Sequence, residues 1–384
     1  MSHFKDLIDQ YEVNVYPKRD VVIVKGKDAK LWDENGKEYI DCAAGIGVAT
    51  IGHCNDKVVE AITNQAKTLI TNPAIFYNDK RAQVLEKLIS ISPDSLTRAF
   101  LTNSGTEAVE AAIKFARVST GKTDFIAAMR GFHGRTLGAL SGTFKSDYRE
   151  PFEPLVPGFS FVPFNNLEKL ESAITDKTAG IMLEVVQGEG GINIGSKEYF
   201  EGVRKLCNEH NIMMIIDEIQ SGFCRTGKMF ACDHFDIQPD IMTVAKAIAG
   251  GFPMGAALCS DKVQISIGKH GSTFGGNPLA AAASIAAIDF MIENNLSKLT
   301  EEKGNYFISK IKVDELEKVR SIRNLGLMIG IELKDKVQPY IVELMEKGIL
   351  AMPAGTTILR LLPPVVIPYA DLDKVADIIN EMLK

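Results

Sequence analysis

Short apolar runs alternate with longer amphipathic segments along most of the chain. The runs at 212–216 and 241–245 are each long enough for one buried strand and too short for a helix. Segments 58–69 and 80–91 repeat apolar residues at helical spacing, which predicts two amphipathic helices. From Arg98 onwards strand-like and helix-like segments alternate regularly, and this alternation predicts an α/β domain built on a mostly parallel sheet.

The two ends of the chain differ in pattern from its middle. Residues 1–50 begin with a short amphipathic segment and continue as alternating strands, with an Asn-Gly hairpin signal at 35–36. From about Ile292 shorter helices and strands alternate to the C-terminus. Because 384 residues exceed one typical core, we predict a large α/β domain over 51–291, a small α+β domain over 292–384, and an N-terminal segment that joins the small domain.

Composition narrows the classes of function. The net charge is −6, from 43 basic and 49 acidic residues, and no basic cluster contains interleaved aromatic residues, which argues against nucleic-acid and membrane partners. No apolar run approaches twenty residues and the start lacks a signal-peptide core, so we expect a cytoplasmic protein. The six cysteines lack CxxC spacing and the six histidines lack an HExxH motif, which predicts free buried thiols and no metal site.

Two ionisable residues follow neighbouring apolar runs. Asp217 comes directly after the run at 212–216, and Lys246 directly after the run at 241–245. Open α/β sheets bind ligands just past the carboxyl ends of their strands. From charge alone, a structural ion pair is as good an interpretation as a catalytic pair, in which the carboxylate holds a pyridine nitrogen protonated and the lysine forms a Schiff base.

Five motifs together resemble one family, the class III aminotransferases, which act on ornithine, acetylornithine or 4-aminobutyrate and use pyridoxal 5′-phosphate (PLP). The motifs occur in the expected order and cover much of the chain; they are NSGTEAVEAAIK at 103–114, FHGRT at 132–136, DEIQSGFCRTG at 217–227, PDIMTVAKAIAGGFPMG at 239–255 and HGSTFGGNP at 270–278. The resemblance implies the fold-type I architecture, with a mostly parallel sheet of the seven-stranded type in the large domain and a smaller α+β domain.

The resemblance also implies the residues that bind the cofactor. Lys246 matches the Schiff-base lysine and Asp217 the partner of the pyridine nitrogen. The expected cofactor-binding set is Ser104, Gly105, Thr106, Phe132, Asp217, Gln220, Lys246 and Thr273. Taken alone, the segment SGTE is an ordinary helix cap with a capping glutamate. By resemblance it is the phosphate-binding turn, Phe132 stacks on the pyridine ring, and Gln220 lies near the phenolic oxygen.

Four further residues match substrate-binding positions of the family: Arg135, Glu189, Ser272 and Arg360. Arg135 matches the arginine that binds the substrate α-carboxylate, for which a guanidinium offers a bidentate fork. Arg360 matches an arginine that binds a carboxylate or pairs with Glu189. The threonine at 273 matches one that contacts the phosphate in the neighbouring subunit, which implies a homodimer with shared active sites.

The expected reaction is a ping-pong amino transfer from an amino-acid donor to 2-oxoglutarate. The motifs are most similar to those of acetylornithine aminotransferases and of relatives that act on acylated or carrier-linked lysine or ornithine, in arginine or lysine biosynthesis. An amino-group carrier protein is therefore a further expected partner. Ornithine δ-aminotransferase and 4-aminobutyrate aminotransferase remain alternatives, as do an aminomutase, a decarboxylase and a non-catalytic regulatory protein with the same fold. Loops 44–52 and 71–79 are expected to decide the donor.

Overall fold

The structure, a computed structural model, describes residues 2–384. Its N-terminal region contains an exposed helix, a hairpin and two amphipathic helices, and the elements are α1 (His3–Tyr11), β1 (Ile23–Lys27), β2 (Lys30–Asp33), β3 (Glu38–Asp41), α2 (Ala44–Gly47), α3 (Asp56–Thr68) and α4 (Asp79–Ser90). Strands β2 and β3 pair antiparallel on either side of the Asn-Gly turn. The predicted hairpin and both predicted helices are therefore confirmed.

The central region alternates strands and helices as predicted. Its elements are β4 (Arg98–Thr102), α5 (Gly105–Thr120), β5 (Asp124–Ala128), α6 (Leu137–Ser141), α7 (Ser146–Arg149), β6 (Phe159–Val162), α8 (Leu167–Ser172), β7 (Thr178–Glu184), β8 (Val186–Gln187), β9 (Asn193–Ile194), α9 (Lys197–Glu209), β10 (Met213–Asp217), β11 (Ile241–Val244), β12 (Gly255–Cys259) and α10 (Pro278–Glu293). Helices α5 and α9 begin at serine caps, whose hydroxyl oxygens accept backbone N–H groups of the first turn.

Seven of these strands form one mixed sheet in the order β4-β12-β11-β10-β7-β5-β6. Strand β10 pairs parallel with β11 and β7, and β5 pairs parallel with β7 and β6. Strand β12 runs antiparallel to both β11 and β4. The predicted seven-stranded, mostly parallel sheet is confirmed, and the carboxyl ends of its central strands share one edge.

The two faces of the sheet pack on different helices, because side chains of a strand alternate between faces. In β10, Met214 and Ile216 pack in the core that contains residues of α9 and α10. Met213 and Ile215 pack in the second core, which contains residues of α5. Asp217 continues this alternation and so projects from the α5 face at the end of the strand.

The C-terminal region forms an antiparallel sheet, β13-β14-β17-β16, covered by helices. Its elements are α11 (Leu296–Lys310), β13 (Val319–Leu325), β14 (Met328–Leu333), α12 (Gln338–Glu346), β15 (Ile349–Leu350), β16 (Met352–Ala354), β17 (Ile358–Leu361) and α13 (Tyr369–Met382). Strand β15 pairs parallel with β3 of the N-terminal region, with Ile349 opposite Ile40. This pairing supports our proposal that 1–50 and 292–384 form one small domain beside the large domain at 51–291.

Two sequence expectations concern membranes and cysteines. Among residues 2–384 no single helix is long and apolar enough to cross a membrane. Helix α10 and the helical segment 296–315 reach the necessary length and apolar composition only when taken together, and the two are bent by 63° relative to each other. All six cysteines are free. Five are buried as expected, but Cys54 is exposed because it lies in the surface turn that precedes α3.

Candidate active site

Two neighbouring strands place Asp217 and Lys246 at the same edge of the sheet. Asp217 ends β10 and lies in register with Thr243 of β11, three residues before Lys246. Lys246 opens a short 3₁₀ helix with φ +49°, in the left-handed region that is uncommon for residues other than glycine. Burial lowers the pKa of Lys246 to about 8, although the nearby Glu189 carboxylate raises it. Part of the amine population is therefore uncharged near neutral pH.

His133 holds the Asp217 carboxylate in a fixed orientation. Nδ1 of His133 lies 2.7 Å from Asp217 Oδ2, and the backbone N–H of Ile219 donates to Oδ1 at 3.0 Å. Both side chains are buried. Burial lowers the pKa of His133, but the hydrogen bond and the charge of Asp217 more than offset this, so the pKa lies above its ordinary value. A protonated imidazole beside the carboxylate is thereby favoured.

A second buried carboxyl group, that of Glu184, lies at the end of β7. It accepts the backbone N–H groups of Phe132 at 3.0 Å and of Gly188 at 3.2 Å. Burial raises the pKa of Glu184 to about 7, although the positive charge of His133 lowers it. Glu184 therefore ties the loop after β5 to the loop after β7, on the side of Asp217 away from β11.

The N-terminus of α5 faces the same cavity. The Ser104 hydroxyl oxygen accepts the backbone N–H of Glu107 at 3.3 Å, which makes Ser104 the cap of the helix. The first N–H groups of a helix have no partner within it, and with the helix dipole they suit an anion. The hydroxyl of Thr106 is fixed 2.8 Å from that of Thr136. Together these groups form a candidate phosphate site.

Phe132 and Arg135 lie on the loop after β5, where the FHGRT motif predicts them. The Arg135 guanidinium carbon lies 3.6 Å from the centre of the Tyr148 ring and 5.5 Å from that of Phe132. Over residues 2–384 the guanidinium forms no salt bridge, and the residue is exposed. Arg135 is therefore a cation held against aromatic rings and free to bind a carboxylate.

Arg360, in contrast, is buried and already paired. Its Nη1 donates to Glu189 Oε1 at 2.5 Å and to Gln220 Oε1 at 3.1 Å. Burial raises the pKa of Glu189, but the Arg360 guanidinium more than offsets this, so the pKa lies below its ordinary value. The Gln220 carboxamide packs so closely on Gly188 that a Cβ there would lie 2.0 Å from Gln220 Oε1. Glu189, Gln220 and Arg360 thus form one polar cluster.

A left-handed turn over 44–47 borders the cavity. Its backbone φ values run from +47° at Ala44 to +81° at Gly47, and Ile46, a β-branched residue, has φ +64°. Asp41 holds the turn, because its Oδ1 accepts the N–H groups of Ala43 and Ala44 at 2.8 and 2.9 Å. Loop 44–52, which begins with this turn, therefore lies at the site.

One cavity of about 470 Å³ contains nine of the twelve predicted site residues in its lining. The nine are Ser104, Gly105, Thr106, Phe132, Arg135, Glu189, Asp217, Gln220 and Lys246. Arg360 lies behind Glu189 and Gln220. Ser272 and Thr273 are outside this lining: the Ser272 hydroxyl accepts from Asn103 Nδ2 at 3.3 Å, and Thr273 is exposed. Thr273 stays a predicted contact to the phosphate in a neighbouring subunit, and Ser272 stays a predicted substrate-binding residue.

The lining also contains residues outside the twelve predicted ones. Asn103, His133 and Glu184 are the three with polar side chains, and Val48 lines the cavity from the left-handed turn. His133 was identifiable in principle, since it stands between Phe132 and Arg135 in the same motif. Val48 belongs to loop 44–52, which is expected to decide the donor, but its residue type alone gives no signal, because an isolated valine is more often a core residue.

The cavity fits PLP by the chemistry of its groups. The N-terminus of α5 could bind the phosphate, and Asp217 could pair with the ring nitrogen. Lys246 could react with the aldehyde carbon, and the Phe132 ring could stack on the flat face of the cofactor ring. Gly105 leaves the necessary room, since a Cβ there would lie 2.8 Å from Ile219 Cδ1. The volume lies in the usual range of ligand cavities. Over residues 2–384 no group of three or more His, Cys, Asp or Glu side chains is arranged to hold a metal ion.

Comparison with known proteins shows the family of the chain. The family Aminotransferase class-III matches residues 11–383. The chain is 47% identical to the [LysW]-aminoadipate semialdehyde transaminase of Deinococcus radiodurans, over 97% of this chain and 88% of that protein. It is 44% identical to the acetylornithine aminotransferase of Methanocaldococcus jannaschii, over 98% of this chain and 97% of that protein.

A solved structure gives the same result for the fold. The ornithine aminotransferase of Toxoplasma gondii ME49 superimposes with a TM-score of 0.94 at 31% identity, covering 99% of this chain and 94% of that one. The fold-type I α/β architecture is thereby confirmed, and PLP is the cofactor of these transaminases. Members of the family act on amino acids and 2-oxoglutarate and are typically dimers. The chain belongs to the class III aminotransferases and is a PLP-dependent transaminase.

Proposed function

We propose that this transaminase moves the terminal amino group of an acylated diamino acid, such as N-acetylornithine, to 2-oxoglutarate, giving a semialdehyde and glutamate. One observation carries the proposal: Arg135 has a free guanidinium, whereas Arg360 is neutralised by Glu189. Among residues 2–384, the cavity lining therefore offers the donor one unpaired guanidinium, which matches a donor with one carboxylate. Two relatives are named for substrates of this kind, an acetylornithine aminotransferase and a [LysW]-aminoadipate semialdehyde transaminase, and they support the same assignment.

The surroundings of Arg135 favour an acylated α-nitrogen over a free one. When a donor carboxylate binds Arg135, the neighbouring α-nitrogen lies beside the same guanidinium. Ornithine carries a positive charge on that nitrogen, which would face the positive charge of Arg135, whereas N-acetylornithine does not. Like charges at this range repel. Because Arg135 is exposed, an acyl group on that nitrogen has access to solvent.

The acceptor requires the second arginine. 2-Oxoglutarate has two carboxylates, so the carboxylate far from its keto group needs a cation in addition to Arg135. Arg360 is 1% exposed and its charge is compensated by Glu189. Displacing Glu189 leaves a buried cation that a substrate carboxylate can neutralise. We therefore propose that the Glu189–Arg360 pair lets one site accept two kinds of substrate. The pair stays intact with a donor that has one carboxylate, and it separates when an acceptor with two carboxylates binds.

The chemistry at the reacting carbon falls to Lys246 and Asp217. PLP, when bound, supplies the electron sink that stabilises negative charge on that carbon. Lys246 would hold the cofactor through its amine, and that amine would carry the proton from the carbon that bears the amino group to the cofactor. Asp217, held by His133, would keep the ring nitrogen protonated. Phe132 would stack on the ring, and the N-terminus of α5 would bind the phosphate.

We further propose a homodimer with shared active sites. Thr273 is exposed and lies outside the cavity of its own chain, as expected if it contacts phosphate in the partner. Ser272 beside it is proposed to face the substrate. An amino-group carrier protein is a further candidate partner, in line with the name of the relative from Deinococcus radiodurans. The enzyme would then serve arginine or lysine biosynthesis.

A single half-reaction tests the donor. Purified holoenzyme is mixed in turn with N-acetylornithine, ornithine, lysine and 4-aminobutyrate, and the visible spectrum reports conversion of the cofactor to its amino form. Fastest conversion by N-acetylornithine supports the proposal. A preference for ornithine or 4-aminobutyrate contradicts it and selects the corresponding alternative. A cofactor band that none of the four donors changes points to a carrier-linked donor.

A further inference from the structure

We infer that Tyr148 is a positioning residue for donor recognition: its ring holds the Arg135 guanidinium ready for the donor carboxylate. The inference rests on the proposed function, in which Arg135 binds that carboxylate. Tyr148 itself is not part of the cavity lining. It therefore acts through Arg135 and does not touch the reacting atoms.

The geometry around Arg135 is that of a stacked cation. The guanidinium carbon lies 3.6 Å from the centre of the Tyr148 ring, which is the distance of direct stacking. Phe132 meets Tyr148 edge-on, with ring centres 6.3 Å apart and an interplanar angle of 84°. A guanidinium over an aromatic face is attracted by the ring quadrupole. Stacking leaves the in-plane N–H groups of Arg135 available for a bidentate carboxylate.

The rest of the loop is fixed independently of Tyr148. Thr136, next to Arg135, donates its hydroxyl to Glu110 Oε1 at 2.6 Å, and Glu110 also accepts the N–H of Gly138 at 2.9 Å. The backbone at Arg135 is therefore anchored to α5, whereas its long side chain has no hydrogen-bonded or ionic partner in residues 2–384 that would fix it. The Tyr148 ring supplies the missing restraint on that side chain.

Loss of the ring has a specific kinetic consequence. Without stacking, the exposed Arg135 side chain samples many rotamers, and binding a carboxylate then requires ordering it. The carboxylate is bound equally in the substrate complex and in the transition state, so KM rises while kcat changes little. From the usual strength of a cation–π contact at an exposed site, we expect a rise in KM of roughly threefold to fivefold.

The experiment compares Tyr148→Leu with Tyr148→Phe, which keeps the ring. The donors are N-acetylornithine and N-acetyl-1,4-diaminobutane, the same molecule without the carboxylate. We expect Tyr148→Leu to raise KM only for N-acetylornithine, and Tyr148→Phe to retain the wild-type KM within about twofold. Lys145→Gln is the matched control, because Lys145 also faces this ring but is paired with Asp147 at 3.4 Å. The KM of this variant for N-acetylornithine should equal that of the wild type. Adding Tyr148→Leu to Arg135→Ala should cause no further loss.

The outcomes separate this inference from the proposed function. If Arg135→Ala raises KM for N-acetylornithine but Tyr148→Leu does not, the inference is wrong and the proposed function stands. A rise that Tyr148→Leu causes equally for both donors, or that Tyr148→Phe shares, also overturns the inference. If Arg135→Ala leaves KM for N-acetylornithine unchanged, both the assignment of Arg135 and the inference are wrong.

Discussion

His133 Nδ1 lies 2.7 Å from Asp217 Oδ2, and both side chains are buried at the sheet edge. A buried carboxylate with a single side-chain donor depends strongly on it, because an unsatisfied buried group costs about 1–3 kcal/mol and more when charged. His133 therefore fixes the orientation of the Asp217 carboxylate, the group that faces the cofactor.

Replacing His133 should weaken both cofactor binding and turnover. His133→Leu removes the donor, and we expect the PLP dissociation constant to rise and kcat to fall, each by roughly tenfold or more. Titration of the apoenzyme followed by the visible spectrum, together with steady-state rates, measures both. The matched control is His53→Leu, which breaks a His–Asp pair of similar length, 2.6 Å to Asp41, outside the cavity. Equal effects of the two variants on PLP affinity would refute a specific role for His133.

The sequence was sufficient to predict how Asp217 and Lys246 meet. Each follows a short apolar run, and parallel neighbouring strands bring such positions to one edge. The alternation of buried residues in β10 likewise follows from its period of two. These features depend on local pattern, so they are accessible without coordinates.

Other contacts join distant segments, so local pattern does not predict them. The Glu189–Arg360 pair, which spans 171 positions, was expected only from the family resemblance, and the His133–Asp217 contact, which spans 84, was not expected. Their geometry depends on how the loops at the sheet edge and the C-terminal sheet pack, which periodicity does not encode. Local propensity fails in a different way at Ile46, whose φ of +64° is disfavoured for a β-branched residue and is imposed by the turn that Asp41 holds.

Removing the charge of Glu189 should change the balance between the two half-reactions. In Glu189→Gln, Arg360 is a buried cation without a counter-ion, so a donor with one carboxylate leaves it uncompensated. We expect kcat/KM for N-acetylornithine to fall roughly tenfold or more, while that for glutamate, whose second carboxylate can pair with Arg360, is kept or rises.

The reciprocal change provides the control for that prediction. Arg360→Gln removes the cation itself, so kcat/KM for glutamate should fall more than that for N-acetylornithine. Single-turnover rates with each substrate in each variant measure the ratio directly. Parallel losses for both substrates in Glu189→Gln would show that the pair has a structural role only.

The lowered pKa of Lys246 should control how fast the apoenzyme captures PLP. The neutral amine is the nucleophile, and burial lowers the pKa of Lys246 to about 8. The rate should therefore rise with pH up to about 8 and then level off, since the amine is already neutral above its pKa. Stopped-flow absorbance from pH 6 to 10 measures the profile. A rate that still climbs steeply near pH 10 would contradict the lowered pKa, and Lys246→Arg should show no covalent capture.

A last prediction concerns Glu218, which is fully buried beside Asp217 but outside the cavity lining. Its carboxyl group accepts the Ser221 hydroxyl at 2.5 Å and the backbone N–H of Cys232 at 2.7 Å. Burial raises the pKa of Glu218 from 4.5 to about 7, so the folded protein binds more protons than the unfolded chain between these two values. The contribution of Glu218 to the free energy of unfolding should therefore fall as pH rises through this window.

Glu218→Gln isolates this contribution, because glutamine keeps the shape and does not titrate. Its carboxamide oxygen can still accept the Cys232 N–H, and its NH₂ group can donate to the Ser221 oxygen. Relative to wild type, the variant should gain stability as pH rises from about 5 to 8, by on the order of 3 kcal/mol at most. Glu184, whose pKa burial also raises to about 7, is present in both proteins, so its titration cancels in the difference. Urea unfolding of both apoproteins across this range measures the effect, and a difference independent of pH would show that Glu218 does not titrate in this window.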